Sequence, residues 1–450
     1  MKLKYPSLLA GFLLSGALLA QADGASRFSL AEAEDYAALH AYTVQDKVLE
    51  FEKAKKTITE TAAMGLPQIS ASFGYSYNAQ IPQTPIPARF FDPNAPAGEF
   101  TTVAFGVAHQ NQGQLQVNQL LLDGSYFVAL QASKVFKETK RLESEEAEIE
   151  ARKNAAQSYY GVLVAERTVS ILEKNLKVLS DNFKETRKLY ENGFVEDQDV
   201  DQLELLINNL QNNLANAERQ RKLAYQLLKF NLGISLDKPI ALSTKLEELI
   251  TPAQIALGLS LDSFQVDNHI SYRSTLANER AAHLSLANER AKYYPSLSAF
   301  LTHSQSLFGN EVGSVFDFDT YWIPGTTIGA SLQWNIFTGL ARHAKVQKAK
   351  IDVERIEVAK SATESQLDLA FERALSDYKF AIDNYNNQMR NMELSEKIRN
   401  KTLLKYKEGL SSSLELSQSE NQLLQTQTNY INAILTALNS KEALEYALGK

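Results

Sequence analysis

The chain's 450 residues include six histidines, His40, His109, His269, His283, His303 and His343, and their spacing suits no shared metal ion. Cysteine is absent, which removes thiol nucleophiles, disulfides, Cys-ligated zinc or iron–sulfur centres and the acceptor thiol of a lipoprotein anchor. Neither a P-loop nor a G-x-S-x-G elbow is present. The spacing that stands out belongs to carboxylates. Glu196, Asp197, Asp199 and Asp201 follow Gly193 with no Lys or Arg between Lys188 and Arg219, and Glu415 follows Gly409 at the interval that separates Asp199 from Gly193. No base or nucleophile accompanies them. Their chemistry is fixed negative charge, which attracts cations at a constriction or simply hydrates a turn. The reading is of a protein that is not an enzyme and uses no cofactor and no metal.

The elements that must position these carboxylates are marked by glycine and proline. Residues 97–238 and 325–450 contain no proline, so both spans can hold very long helices. Gly124, Gly193 and Gly233 are separated by 69 and 40 residues, and Gly339, Gly409 and Gly449 by 70 and 40. Side chains agree as well as intervals: Leu189 to Gly193 matches Lys405 to Gly409, and Asn231-Leu232-Gly233 matches Ala447-Leu448-Gly449. The chain is an internal duplication, with a first repeat over 23–233, a connecting segment over 234–262 and a second repeat over 263–450.

Each repeat is expected to run helix, strand, loop, strand, long helix, tight turn, helix. Ser29 and Glu32 form a capping box before a helix that should run to Pro67. Ile69, Ala71, Phe73, Tyr75, Tyr77 and Ala79 then alternate with Ser70, Ser72, Gly74, Ser76 and Asn78, the pattern of a tilted transmembrane strand. A proline-rich loop is expected over 81–99 and a second strand around Gln114 to Leu121. In the second repeat Ile328, Ala330, Leu332, Trp334 and Ile336 define a strand, whereas Leu297 to Ser306 is a weaker match with Phe300 out of phase. Phe73, Tyr75 and Trp334 are expected on the lipid side. A half-buried sheet in a soluble domain shows the same alternation, but a helix from Ser125 to Glu191 would be roughly 100 Å long, too long to cover a sheet in a compact domain.

The long helices carry apolar 3,4 repeats, such as Val169, Leu172, Leu176, Leu179 and Phe183 facing Leu203, Ile207, Leu210 and Leu214, so the turn at Gly193 should fold them into an antiparallel coiled coil. The seam from Tyr378 to Tyr406 is more polar and should be looser. The repeated Leu276 to Arg280 and Leu286 to Arg290 reads as a local duplication on a solvated helix.

Lys2 and Lys4, an apolar run from Leu8 to Ala20, and Ala20-Gln21-Ala22 read as a signal peptide over 1–22. Its removal takes the net charge from -7 to -9, which disfavours nucleic acid as a partner. Four strands cannot close a barrel alone, since outer-membrane barrels need at least about eight, so chains must associate. Two, three or four chains would satisfy closure.

Signal peptide, duplicated plan, the Tyr-x-x-Gly turns (Tyr190 to Gly193, Tyr406 to Gly409), and Pro67 and Pro295 before the strands together resemble the TolC family of outer-membrane efflux channels. The resemblance covers essentially the whole mature chain. It implies a mainly α fold with transmembrane β: a homotrimer in which each chain gives four strands to a 12-stranded outer-membrane β-barrel, continued by a long periplasmic α-helical barrel of coiled coils. It also implies a passive conduit for small molecules or proteins, in a tripartite efflux or type I secretion system. The implied partners are a periplasmic adaptor and an inner-membrane transporter. By the same resemblance, the turns at Tyr190, Gly193 and Gly409 dock the adaptor, and Asp199, Tyr406 and Glu415 sit at the periplasmic aperture. Two positions depart from the family: Ser411 stands where it has a base, and Gln418 where it has a second acid, so the closing salt bridge and the ring charge are both reduced. Because the chain stops where the connecting segment would begin again, the equatorial belt is expected to be thinner or differently built. The competing reading is a periplasmic coiled-coil structural or adaptor protein, which would lack transmembrane strands.

Overall fold

The computed structural model describes residues 26–251, 264–317, 319 and 321–449. The expected signal peptide, 1–22, and residues 252–262 of the connecting segment lie outside them.

The chain packs as two units that cut across the repeats: residues 26–48, 143–271 and 364–450 form one, and 49–142 with 272–363 the other. The second unit is built on a four-stranded antiparallel sheet of β2 (Gln68–Tyr77), β5 (His109–Leu122), β7 (Ser296–Gly309) and β8 (Ile323–Gln333), in the spatial order β2-β5-β7-β8. Directly paired residues share a face, and the register separates the two chemistries. One row reads Ile69, Val117, Leu301, Ile328 across the strands, and the next reads Ser70, Gln116, Thr302, Thr327. Along β5 the polar face is a ladder of amides, with Gln114 donating to Gln116 at 3.3 Å and Gln116 to Asn118 at 3.1 Å. At one end, Val315 of a short turn covers the apolar face. It buries Leu307 and Asn111, whose amide donates to the Val315 carbonyl.

Four expectations need correction. The span 81–99 is not a plain loop. It contains β3 (Gln83–Pro87), which pairs with β4 (Phe100–Ala104) as a two-stranded ribbon, and its prolines are tolerated because both strands have a free edge. The strand β7 is a full 14 residues long; Phe300 looks out of phase because it lies on the polar face, over Gly329. The strand β8 begins earlier than Ile328 and ends at Gln333, so Trp334 and Ile336 follow it; the Trp334 indole donates to the Tyr293 carbonyl at 3.1 Å. The first helix is two, α1 (Leu30–His40) and α2 (Tyr42–Ala63), broken at Ala41, whose ψ of 140° is extended. No glycine or proline marks that break. It is fixed by packing, since the His40 carbonyl lies where a Cβ on Gly233 would be, 2.1 Å away.

In the first unit the parallel pair β1 (Ser26–Phe28) and β6 (Ile240–Leu242) covers a core of Ala33, Ala37, Tyr159, Leu228, Leu232, Tyr378 and Leu444. Leu246 and Ile250 of the connecting segment are buried in the same core. Two helical hairpins leave it. The first joins α3 (Gly124–Glu191) to α4 (Asp197–Leu232), and the second, preceded by α5 (Ile270–Ala291), joins α6 (Ala341–Lys407) to α7 (Ser413–Ala447). Pairing of α3 with α6 and of α4 with α7 in length and order reproduces the duplication. At about 1.5 Å per residue, α3 and α6 are each roughly 100 Å long.

Candidate functional site

The two hairpin turns are built alike. Gly193 (φ 77°) and Gly409 (φ 68°) take the left-handed conformation that lets a helix stop with its last carbonyls satisfied. Gly193 donates to Tyr190 at 2.8 Å and Phe194 to Leu189 at 2.9 Å; Gly409 donates to Tyr406 at 3.0 Å and Leu410 to Lys405 at 2.7 Å. The tyrosine three residues before each glycine therefore supplies a backbone acceptor in both turns.

Their side chains differ. Tyr190 is exposed, whereas the half-buried Tyr406 hydroxyl meets Thr186 Oγ1 of α3 at 3.1 Å. Burial, with the Asp199 and Glu185 carboxylates nearby, pushes the Tyr406 hydroxyl up, so it stays neutral. Thr186, itself 1% exposed, is the partner that sequence reasoning missed, because no local pattern links it to a tyrosine 220 residues later. Two more contacts tie the hairpins together. Lys407 of α6 pairs with Glu185 of α3 at 2.9 Å, and Ser413 of α7 donates to Gln202 of α4 at 2.9 Å.

The remaining expected residues lie on the same two turns and the helix starts that follow them. Asp199 and Glu415 both lie in the first turn of a helix, α4 and α7, where the helix dipole favours negative charge. The Ser412 hydroxyl accepts from the Glu415 backbone N–H at 3.2 Å, capping α7. Ser411 hydroxyl donates to the Glu415 carboxylate, so the serine in the family's basic position engages the acid by a hydrogen bond. Gln418 is exposed one turn further along α7.

Above the turns the coils differ as their seams predict. The first packs Val169, Leu172, Leu179, Leu206, Ile207 and Leu210 into one apolar cluster. The second buries Ser395, Arg399, Ser419 and Glu420, with Arg399 and Glu420 separated by 3.8 Å. Burial pushes the Glu420 carboxyl up and Arg399 opposes it. An open groove between α3, α4 and α7 is lined by Gly161, Ala165 and Thr168 and by the amides Asn213, Gln220 and Asn421.

Sheet, hairpins and turns define a class of protein, the helix-extended outer-membrane export channel. The chain matches the family described as "Outer membrane efflux protein" over residues 14–234 and 267–450, and it belongs to that family. Solved structures agree. CusC is 16% identical with a TM-score of 0.72, covering 93% of this chain and 92% of that one. The CmeC outer membrane channel of Campylobacter jejuni is 16% identical with a TM-score of 0.69, covering 93% and 85%. The MtrE outer membrane channel of Neisseria gonorrhoeae, in its open state, is 19% identical with a TM-score of 0.69, covering 93% and 88%. No curated protein matches the chain. The chain is an outer-membrane efflux channel: mainly α, with a transmembrane sheet and a periplasmic helical extension.

Proposed function

We propose that three copies of the chain close their sheets into one 12-stranded barrel, and that this trimer is the outlet of a tripartite or type I export system. The observation that carries the reading is the sheet itself. Its outer strands β2 and β8 each keep an unpaired edge, which lipid does not tolerate, while one face is mostly apolar, with Ile69, Phe73, Val117 and Leu301, and the other is mostly amide and hydroxyl. Closure satisfies the edges, puts the apolar rows against lipid and leaves a polar, uncharged wall for the conduit.

The twin turns are the periplasmic end in this reading. Tyr190, Gly193 and Gly409 form the surface on which an adaptor docks, and the adaptor couples the channel to an inner-membrane transporter. The Tyr406–Thr186, Lys407–Glu185 and Ser413–Gln202 contacts hold the two hairpins of one protomer together and act as a latch. Around the threefold axis Glu415 and Asp199 supply rings of negative charge, with a reach of about 8–10 Å in salt. Gln418 contributes none, so the ring is weaker than two acids would make it. In planar bilayers under a salt gradient, the wild type should show a small cation-selective conductance, and Glu415→Ala a reversal potential closer to zero. Identical reversal potentials would remove Glu415 from the pore.

A further inference from the structure

The corner where β8 passes into α6 exposes an unusual set of side chains. Trp334, Ile336, Phe337 and Leu340 are 56%, 80%, 81% and 72% exposed, an apolar run that nothing among the described residues covers. Gly339 and Leu340 are consecutive left-handed residues, at φ 59° and 65°. Leucine is disfavoured there by contact of its Cβ with the backbone, so the chain holds a large apolar side chain in solvent at a conformational cost.

Immediately beyond, α6 opens with Arg342, Lys345, Lys348 and Lys350, and no acid occurs between Asp319 and Asp352. The positive end of the helix dipole disfavours a base in the first turn, where Arg342 stands. Arg342 is anchored: it donates to the Asn335 carbonyl at 2.8 Å and lies over the Tyr293 ring at 4.8 Å. Lys345, Lys348 and Lys350 are exposed and have no partner among the described residues. The helix is fixed by Val346, Ala349 and Val353 packed on Leu286 of α5, which leaves Lys348 on the opposite side.

The duplication supplies an internal control. At the equivalent corner of the first repeat, Asp123 caps α3 by accepting from Ser125 N–H at 2.7 Å, and no base appears until Lys134. Over the eleven residues after its glycine the first copy therefore carries one base, Lys134, and the second carries four.

We propose that the β8–α6 corner is an anchor for anionic phospholipid of the periplasmic leaflet: the apolar run enters the acyl boundary, and the lysines with Arg342 bind headgroup phosphates. This rests on the reading that the sheet spans the outer membrane and the long helices leave it on the periplasmic side. Apolar side chains beside snorkelling bases are the chemistry of a membrane interface carrying negative headgroups. Seven residues separate β8 from α6, so the bases lie within one short connection of the bilayer. A closed trimer presents three such corners.

The test is lipid retention by the intact, detergent-purified channel in native mass spectrometry, with phosphatidylglycerol, phosphatidylethanolamine or lipopolysaccharide added. The wild type should retain phosphatidylglycerol in preference to the zwitterionic lipid. The triple variant Lys345→Gln, Lys348→Gln, Lys350→Gln should lose that retention roughly a hundredfold, whereas Lys134→Gln with Lys137→Gln in the first repeat should not. Conductance of the same preparations reads the channel separately: all should conduct alike, and a wild type that does not conduct would reject the channel reading alone. Equal phosphatidylglycerol retention by wild type and triple variant overturns the anchor, as does preference for lipopolysaccharide, which belongs to the opposite leaflet.

Discussion

Phe300 is on the polar face because Gly329 is opposite it, where a Cβ would come within 2.6 Å of the ring. An aromatic laid over a glycine repairs the gap in the sheet surface, and the sequence shows only its broken alternation. The clean alternation of β2 carries a sharper consequence. Phe73 and Ser72 are neighbours on opposite faces, so Arg at Phe73 should cost about 2–4 kcal/mol near the bilayer midplane and reduce assembled barrel, while Ser72→Arg should assemble. Heat-resistant oligomer on gels measures both, and equal tolerance would contradict the assignment of faces. A second single-residue effect lies beside the core of the first unit, at the partly buried Glu34. Burial, reinforced by Glu442 and Glu445, pushes the Glu34 carboxyl up to about 7, and burial also raises Glu442, which accepts from the Tyr160 hydroxyl at 2.6 Å. An acid with a raised folded value binds protons more readily when folded, so its contribution is complete below about pH 4.5 and is lost as pH rises through 7. Thermal stability of the assembled channel should fall between about pH 4.5 and 7 by roughly a few degrees. Glu34→Gln should flatten that slope, and an unchanged slope would contradict the assignment.

At the scale of elements, the two hairpins share length, turn geometry and order but differ in what their seams bury. Leu172, Leu179, Ile207 and Leu210 exclude water from the first. The second buries a charge pair at 3.8 Å whose Arg399 Nε and Glu420 Oε1 find no hydrogen-bond partner among the described residues. Such a pair returns little of its desolvation cost. Amides of 388–402 in α6 should therefore exchange roughly tenfold faster than those of 165–186 in α3, measured by hydrogen–deuterium exchange of the intact channel; equal protection would contradict a looser second coil. The 3.5-residue periodicity of Val169 to Phe183 made the first coil readable in sequence, and the polar residues from Gln388 to Arg399 made the second readable as different. The partner of Arg399 was not readable, because Glu420 reaches it from another helix across a turn. The break at Ala41 was equally hidden, since its cause is the closeness of His40 to Gly233 in space.

For the whole molecule, the duplication was legible from glycine intervals and β2 from its alternation, whereas β7 showed only weakly and the bounds of β8 were displaced. Closure was not. Strand count demands partners without stating how many, and the resemblance to the efflux channels supplied the number three. The Tyr406–Thr186 contact, which joins the two repeats, was invisible for the same reason: it depends on how distant segments meet. Because the chain contains no cysteine, closure can be measured without background. A cysteine at Ser70 of β2 is combined in one chain with a cysteine at Gly325, Thr327 or Ser331 of β8, all on the polar face, and the protein is oxidised in outer membranes. The account predicts that one register yields covalent trimers as the largest species. Covalent dimers or tetramers as the largest species, or monomers at every register, would contradict it.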